Sequence, residues 1–354
     1  MAPENLLTQK SHVAATLRLM TPSSRSAFLL LAVFAFASIS CSGGNVHGKS
    51  IDTADHVALV LNVPSAFRFV AFGDTRFHDP NDTVPANSEV RRDLVAAIAK
   101  EHPAFVSIGG DLVYNGYDAD DWKVYDSETA VWRENKIPVF PAIGNHDLHG
   151  DPKIALGNYF ARFPELKDSR FYSVSLGSSL MLVLDSALDE VSGPQGEWLH
   201  AQLDHLSPSL DFVFFVFHHP PYTSSSDNKV LGGGHSARST EQALGKLLEE
   251  KQARSRARFV VFSGHVHNYE RHEHGGVTYF VTGGGGAHPY PIVRQPDDLF
   301  KGGGVNYHYL LADVDHNRLT ITMHRLEIEN GKQIWSEPDS VTITAPVAAP
   351  AAAD

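Results

Sequence analysis

Side chains able to bind cations or move protons recur in five short stretches: GDT at 73–75, GDLVY at 110–114, GNHD at 144–147, FHHP at 217–220 and GHVH at 264–267. In the last of these, His265 and His267 stand two residues apart just after the apolar run RFVVF, the spacing that turns both rings to one face of an extended chain. A lone His-x-His says little, because solvated loop histidines are common. Here Asp74, Asp111, Asn145, His218 and His265 each follow an apolar run. Aspartate, asparagine and imidazole together suit borderline-hard cations such as zinc, iron or manganese.

The elements that must position these side chains are legible as apolar runs: AFRFVAF, AFVSI, IPVFPAI, FVFFVF, RFVVF and VTYFVT. Such runs, rich in Val, Ile and Phe and without alternation, predict strands buried on both faces. Between them, helical spacing appears at 88–101 (Val90, Leu94, Ala97, Ile98), at 195–206 (Trp198, Leu199, Leu203) and at 239–250, where Ser239 and Gln242 are spaced as a capping box before Leu244, Leu247 and Leu248. Strands alternating with helices indicate an α/β layered domain. The late segments YHYLLADVD and LTITMHRLEI alternate without an intervening helix and are expected to pair antiparallel. In open α/β sheets, sites assemble beyond the carboxyl ends of the strands, and that is where all five polar stretches fall.

The 354 residues carry a formal charge of −12, with 42% hydrophobic and 20% charged residues, 28 glycines and 20 histidines. An acidic chain lacks the basic footprint of a nucleic-acid binder, so no nucleic-acid scaffold binding is expected. The single cysteine, Cys41, excludes an internal disulfide. It follows the apolar run 27–39, AFLLLAVFAFASI, which Arg18 and Arg25 precede. This run has the length of a secretory h-region and is short for a membrane span. The context SISCSGG resembles a bacterial lipoprotein signal, with residues 1–40 removed and Cys41 acylated as the mature N-terminus. Plain secretion with cleavage near Ser40–Gly43 is the alternative. Either way the chain is expected to be exported, as a periplasmic or cell-surface lipoprotein or as a secreted protein, with membrane attachment only through a lipidated Cys41.

The ordered set GDT, GDLVY, GNHD, FHHP and GHVH resembles the motifs of calcineurin-like metallophosphoesterases over roughly residues 66–285, and GDLVY with GHVHNYER is most similar to purple acid phosphatases. The resemblance implies a four-layer α/β/β/α sandwich with mixed sheets. It also implies two metal ions, iron paired with iron, zinc or manganese. One would be held by Asp74, Asp111, Tyr114 and His267, the other by Asp111, Asn145, His218 and His265, with Asp111 bridging. Many relatives have histidine where this chain has Arg76; Tyr114, three residues after Asp111, is the compensating ligand in purple acid phosphatases. The family's spacing selects His218 over His219. It assigns His146 to phosphate contact and proton delivery, and His235 is a second outer-sphere candidate. Arg76 is a candidate for phosphate contact or for pairing with a carboxylate. The loop TGGGGAHPY at 282–290 lacks the Gly-Lys-Ser/Thr signature of a P-loop, and His288 within it is a candidate pocket residue.

The implied activity is phosphate-monoester hydrolysis by metal-activated hydroxide attack on a small phosphorylated substrate. The alternatives are a phosphodiesterase acting on nucleotides or lipid head groups, and a non-catalytic surface-binding lipoprotein of the same fold. About 25 residues separate Cys41 from the first core strand, too few for the fibronectin-like domain that precedes the catalytic domain in plant purple acid phosphatases. The expected layout is a linker at 41–65, a catalytic domain at 66–344 and a disordered tail at 345–354. Nothing in the sequence specifies an oligomeric state.

Overall fold

The computed structural model describes residues 56–226 and 235–347. In chain order the elements open with β1 (Val57–Val60), β2 (Ala66–Phe72), α1 (Ser88–Lys100), β3 (Val106–Ile108), α2 (Ala119–Glu128), α3 (Ala130–Glu134) and β4 (Val139–Pro141). Then come α4 (Pro152–Arg162), β5 (Tyr172–Leu176), β6 (Ser179–Val183), α5 (Gly193–Asp204), β7 (Phe212–Phe217), α6 (Ser239–Gln252) and β8 (Arg258–Ser263). The chain continues through β9 (Tyr269–His274), β10 (Val277–Thr282), β11 (Tyr307–Asp315), β12 (Arg318–Glu329), β13 (Lys332–Ser336) and β14 (Ser340–Thr344).

Two seven-stranded sheets result, one ordered β1-β5-β6-β7-β8-β10-β9 and the other β13-β12-β11-β2-β3-β4 with β14 also on β12. Both are mixed. β2, β3 and β4 run parallel, as do β6, β7, β8 and β10, while β11 and β12 pair antiparallel as their alternation predicts. The sheets meet face to face through Phe69 of β2, whose ring centroid lies 4.9 Å from that of Phe214 of β7 and 5.9 Å from that of Phe262 of β8. Burying side chains of this size contributes about 1.5–3 kcal/mol each. The alternate residues of β7 and β8, Val213, Phe215 and Val261, face outward onto Trp198, Leu199 and Leu203 of α5 and Leu244 and Leu248 of α6. α1 buries Val90, Leu94, Val95 and Ile98, and Trp132 of α3 is fully buried beside it, its indole donating to the Val95 carbonyl at 3.1 Å. The layering is therefore helix, sheet, sheet, helix, the expected α/β sandwich.

Local chemistry explains where the helices begin. Asn87 caps α1 by accepting from the Val90 amide at 3.1 Å, and Asp151 caps α4 from the Lys153 amide at 2.9 Å. The predicted capping box at Ser239 does not form: the cap is Arg238, its guanidinium engages Glu241, and Gln242 turns its amide to the Ala237 carbonyl at 3.2 Å. The stretch read as a linker, 41–65, contributes β1, which pairs parallel with β5 and buries Leu59 and Leu61. At the other end, Ala345 is buried and exchanges hydrogen bonds with Asn317, so the ordered chain extends past residue 344. Residues 1–55, including the apolar run and Cys41, and residues 348–354 lie outside the described residues. Among the described residues no helix is long and apolar enough to cross a membrane.

Candidate metal centre

Every candidate ligand sits within a few residues of a strand's carboxyl end. Asp74 follows β2, Asp111 follows β3, Asn145 follows β4, His218 follows β7 and His265 follows β8. The first three come from one sheet and the last two from the other, so the site forms where both sheets present their carboxyl ends. The loops are stitched by backbone: Asp74 donates to the Gly110 carbonyl at 3.0 Å, Arg76 to the Asp111 carbonyl at 2.9 Å and Gly264 to the His218 carbonyl at 3.0 Å. Asp74, Arg76, Asp111 and His265 all adopt left-handed backbone, with φ of 59°, 44°, 52° and 70°. That conformation is strained for non-glycine residues and gathers at functional sites. A Cβ at Gly264 would strike the Asp74 carboxylate, so only glycine lets this loop approach it.

One group of donors consists of Asp111 Oδ1, Asn145 Oδ1, His218 Nε2 and His265 Nδ1. His218 Nε2 lies 3.0 Å from Asn145 Oδ1, 3.3 Å from Asp111 Oδ1 and 3.2 Å from His265 Nδ1, and the last lies 3.2 Å from Asn145 Oδ1. His218 gives its Nδ1 proton to the Gly109 carbonyl at 2.9 Å, which leaves Nε2 as a lone pair aimed into the group. Lone pairs therefore face lone pairs, an arrangement that costs free energy unless a cation lies among them. Ligands about 2.0–2.1 Å from one zinc-sized ion stand about 2.9–3.4 Å apart, and these separations fit.

The second group is Asp74, Asp111 and His267, with ligand atoms within 4.8 Å of one another. His267 donates from Nδ1 to the His288 carbonyl at 3.0 Å, leaving Nε2 3.5 Å from Asp74 Oδ1. Both of those atoms are buried and have no hydrogen-bond partner. Orphaned buried polar atoms are rare, and two that face each other again fit an ion between them. Asp111 serves both groups. Oδ1 faces His218 and accepts the His146 amide at 2.9 Å; Oδ2 accepts from Arg76 at 3.1 and 3.3 Å. Although burial opposes ionisation, His218, Arg76 and His146 hold the Asp111 carboxyl well below its usual range.

The remaining predicted residues fall into place around these groups. Arg76 resolves toward the carboxylate alternative, and its partner is Asp111. His146 donates from Nδ1 to the Tyr114 carbonyl at 2.8 Å and holds Nε2 4.0 Å from Asp111 Oδ2. Burial, reinforced by Arg76, pushes this imidazole down to about 4. The Tyr114 ring lies against His146 and His78, with centroids 5.2 and 5.1 Å away, and it makes no hydrogen bond with Asp74 Oδ1 or His267 Nε2. His235 places Nδ1 3.0 Å from His265 Nε2 and its ring 6.2 Å from that of His267, over both groups. His219 turns aside to Ser186 Oγ at 2.7 Å, though its ring still rests 4.3 Å from that of His265. His288 contributes its carbonyl to His267, while its ring reaches Tyr307 at 3.4 Å.

Two residues at the site were not among the predicted ligands or outer-sphere groups. Asp147 is buried and accepts from the Gly144 amide at 2.8 Å and the Val113 amide at 3.2 Å, tying the loops of Asp111 and Asn145 together. Tyr290 stacks on His235 at 5.7 Å, lies 5.4 Å from His267 and has a buried hydroxyl without a partner. Its position after four glycines was visible; its direction was not.

Comparison with known proteins identifies the family and the fold. The calcineurin-like phosphoesterase profile matches residues 67–269. Purple acid phosphatase 15 of Arabidopsis thaliana is 26% identical over 247 residues, spanning 59% of this chain and 45% of that protein. Phosphoenolpyruvate phosphatase of Allium cepa is 24% identical over 216 residues, 56% of this chain and 42% of the relative. A purple acid phosphatase from yellow lupin (Lupinus luteus) seeds superposes with a TM-score of 0.60 at 18% identity, over 82% of this chain and 56% of that one. The chain thus spans about half the length of the curated relatives it matches.

Proposed function

The chain belongs to the calcineurin-like phosphoesterase family, and from that premise we propose that it is a metal-dependent phosphomonoesterase of the purple acid phosphatase type. The observation that carries the reading is the pair of buried donor groups that share Asp111. On this reading Asp74, Asp111, Tyr114 and His267 hold one ion and Asp111, Asn145, His218 and His265 the other, iron being paired with iron, zinc or manganese. The chemistry such a pair supplies when bound is polarisation of a phosphoryl oxygen and acidification of water.

What the chain's own residues do follows from their tautomers. His146 spends its Nδ1 proton on the Tyr114 carbonyl, so the neutral ring has a lone pair at Nε2. Delivering a proton to a leaving alkoxide needs the doubly protonated ring, which burial disfavours and an arriving phosphate anion favours. On this reading His235, whose Nδ1 lies 3.0 Å from His265 Nε2, would hydrogen-bond a substrate oxygen. Arg76 balances the Asp111 charge and fixes the carboxylate's orientation. Two buried donor groups with His146 beside them argue against a binding-only surface protein. The test is hydrolysis by the metal-loaded full chain, for which a phosphomonoester is expected to exceed a phosphodiester in kcat/KM by at least about tenfold. Diester preference would favour the phosphodiesterase reading, and turnover of neither by fully loaded protein would overturn both.

We propose further that the protein is exported and anchored through an acylated Cys41. Wild-type protein should then partition with membranes and Cys41→Ser should not. Soluble wild-type protein cleaved elsewhere would refute the anchor and leave secretion.

A further inference from the structure

We propose that the chain holds an additional divalent cation, zinc being the best fit, at a separate site made by His272, His274 and Asp297. None of these donors belongs to the centre described above. His272 and His274 lie two apart on β9, the edge strand of its sheet, and so project to one face, where Asp297 meets them from the loop before β11. Asp297 Oδ2 is 3.3 Å from His272 Nδ1 and 3.4 Å from His274 Nε2. Both nitrogens are buried, and neither makes a hydrogen bond despite that proximity. Three donors on a tetrahedral zinc with bonds of about 2.0–2.1 Å would stand about 3.3–3.4 Å apart.

The second layer of contacts is the kind that supports a metal ligand. The His272 side chain is 0% exposed and its Nε2 lies 3.1 Å from Glu270 Oε2. Glu270 is itself fixed by the Thr223 hydroxyl at 2.6 Å and by the Ser224 amide. A carboxylate that accepts the Nε2–H hydrogen bond leaves the Nδ1 lone pair pointing at Asp297, as in carboxylate–histidine–metal relays. His274 is held in orientation by Tyr222, stacked with centroids 3.8 Å apart. Asp298, the neighbouring acid, is already committed to Arg294 at 2.8 Å and to the Arg271 and Phe300 amides at 3.2 and 3.1 Å. Two imidazoles and one carboxylate, with His274 and Asp297 partly open to solvent, leave a fourth place for water. The ion's role is structural: it would pin the segment carrying Asp297 to β9 and, through Glu270, to Thr223 and Ser224, which follow the loop of His218.

The test is zinc binding to the full chain, measured by equilibrium dialysis and elemental analysis after chelation and reloading. Asp111→Ala, which disables the main centre, is expected to retain one zinc per chain. Combining it with His274→Ala and Asp297→Ala, both at partly exposed positions, should remove that ion. X-ray absorption on Asp111→Ala should show only nitrogen and oxygen neighbours near 2.0–2.1 Å, as expected for zinc on imidazole and carboxylate. In an otherwise wild-type background, His274→Ala with Asp297→Ala should bind one zinc fewer than wild type, which keeps the test valid should Asp111→Ala fold poorly. Equal zinc content with and without the His274 and Asp297 substitutions would overturn the proposal. If wild type and Asp111→Ala both held a single zinc, the main centre would fail while this site stood.

Discussion

Arg76→Met should destabilise the metal-free protein more than the metal-loaded one. Without cations, the carboxylates of Asp74 and Asp111 lie in one buried cluster, and Arg76 is the guanidinium that touches Asp111, with nitrogens 3.1 and 3.3 Å from Oδ2 and a side chain only 14% exposed. Two charge-assisted hydrogen bonds at about 1.5 kcal/mol each give a loss of about 3 kcal/mol, at the lower end of what breaking a buried pair costs, because Asp111 keeps the His146 amide and His218. With cations bound to Asp111, their charge replaces most of this compensation and the loss should shrink to about 1 kcal/mol. Thermal or urea unfolding of both proteins, with chelator and with zinc, reads the difference; the metal-free midpoint should drop by roughly 5 °C. An equal loss in both states would refute the idea that Arg76 and the cations balance the same carboxylate. A larger loss in the loaded state would make Arg76 a requirement for binding the metal.

Iron-loaded protein should be purple or pink through phenolate charge transfer, and Tyr114→Phe should lose the colour while keeping part of its metal. Colour that survives this change but disappears in Tyr290→Phe would move the phenolate to Tyr290, whose hydroxyl is buried and unpaired. Glu190, buried beside Glu241, is pushed by burial and by the charge and hydrogen bond of that neighbour from 4.5 up to about 8. Its folded form keeps a proton that the unfolded form releases, so stability should fall as pH rises from about 4.5 to 8. Glu190→Gln should flatten that fall by on the order of 5 kcal/mol in pH-dependent unfolding, and an unchanged profile would show that Glu190 is ionised in the native protein.

The six apolar runs all became strands because each is buried over most of its length, on both faces, which is the condition under which a strand reads as continuous hydrophobicity. β9 was invisible for the opposite reason. As an edge strand with the sequence YERHEH, it carries polar residues whose partners, Asp297, Asp339 and Thr223, come from distant loops. β1 was hidden because VALV, four residues long, gives too short a period to set it apart from a linker. At the site, residue type and position after a strand singled out Asp74, Asp111, Asn145, His218 and His265, the His-x-His spacing added His267, and the family resemblance alone divided them into two groups. Direction was beyond reach: that Arg76 turns to Asp111, that His219 turns to Ser186, and that Tyr290 points back at His235 and His267 depend on left-handed turns and loop crossings that no local pattern encodes.

The most direct test of the account is metal stoichiometry together with phosphomonoester turnover in Asp111→Ala. If Asp111 joins two ion sites, this one change should remove two ions per chain and lower kcat by at least about a thousandfold, as expected when charge stabilisation at the reacting phosphorus is lost. Retention of both ions with near-normal turnover would contradict the shared-carboxylate centre and with it the function assigned to this chain.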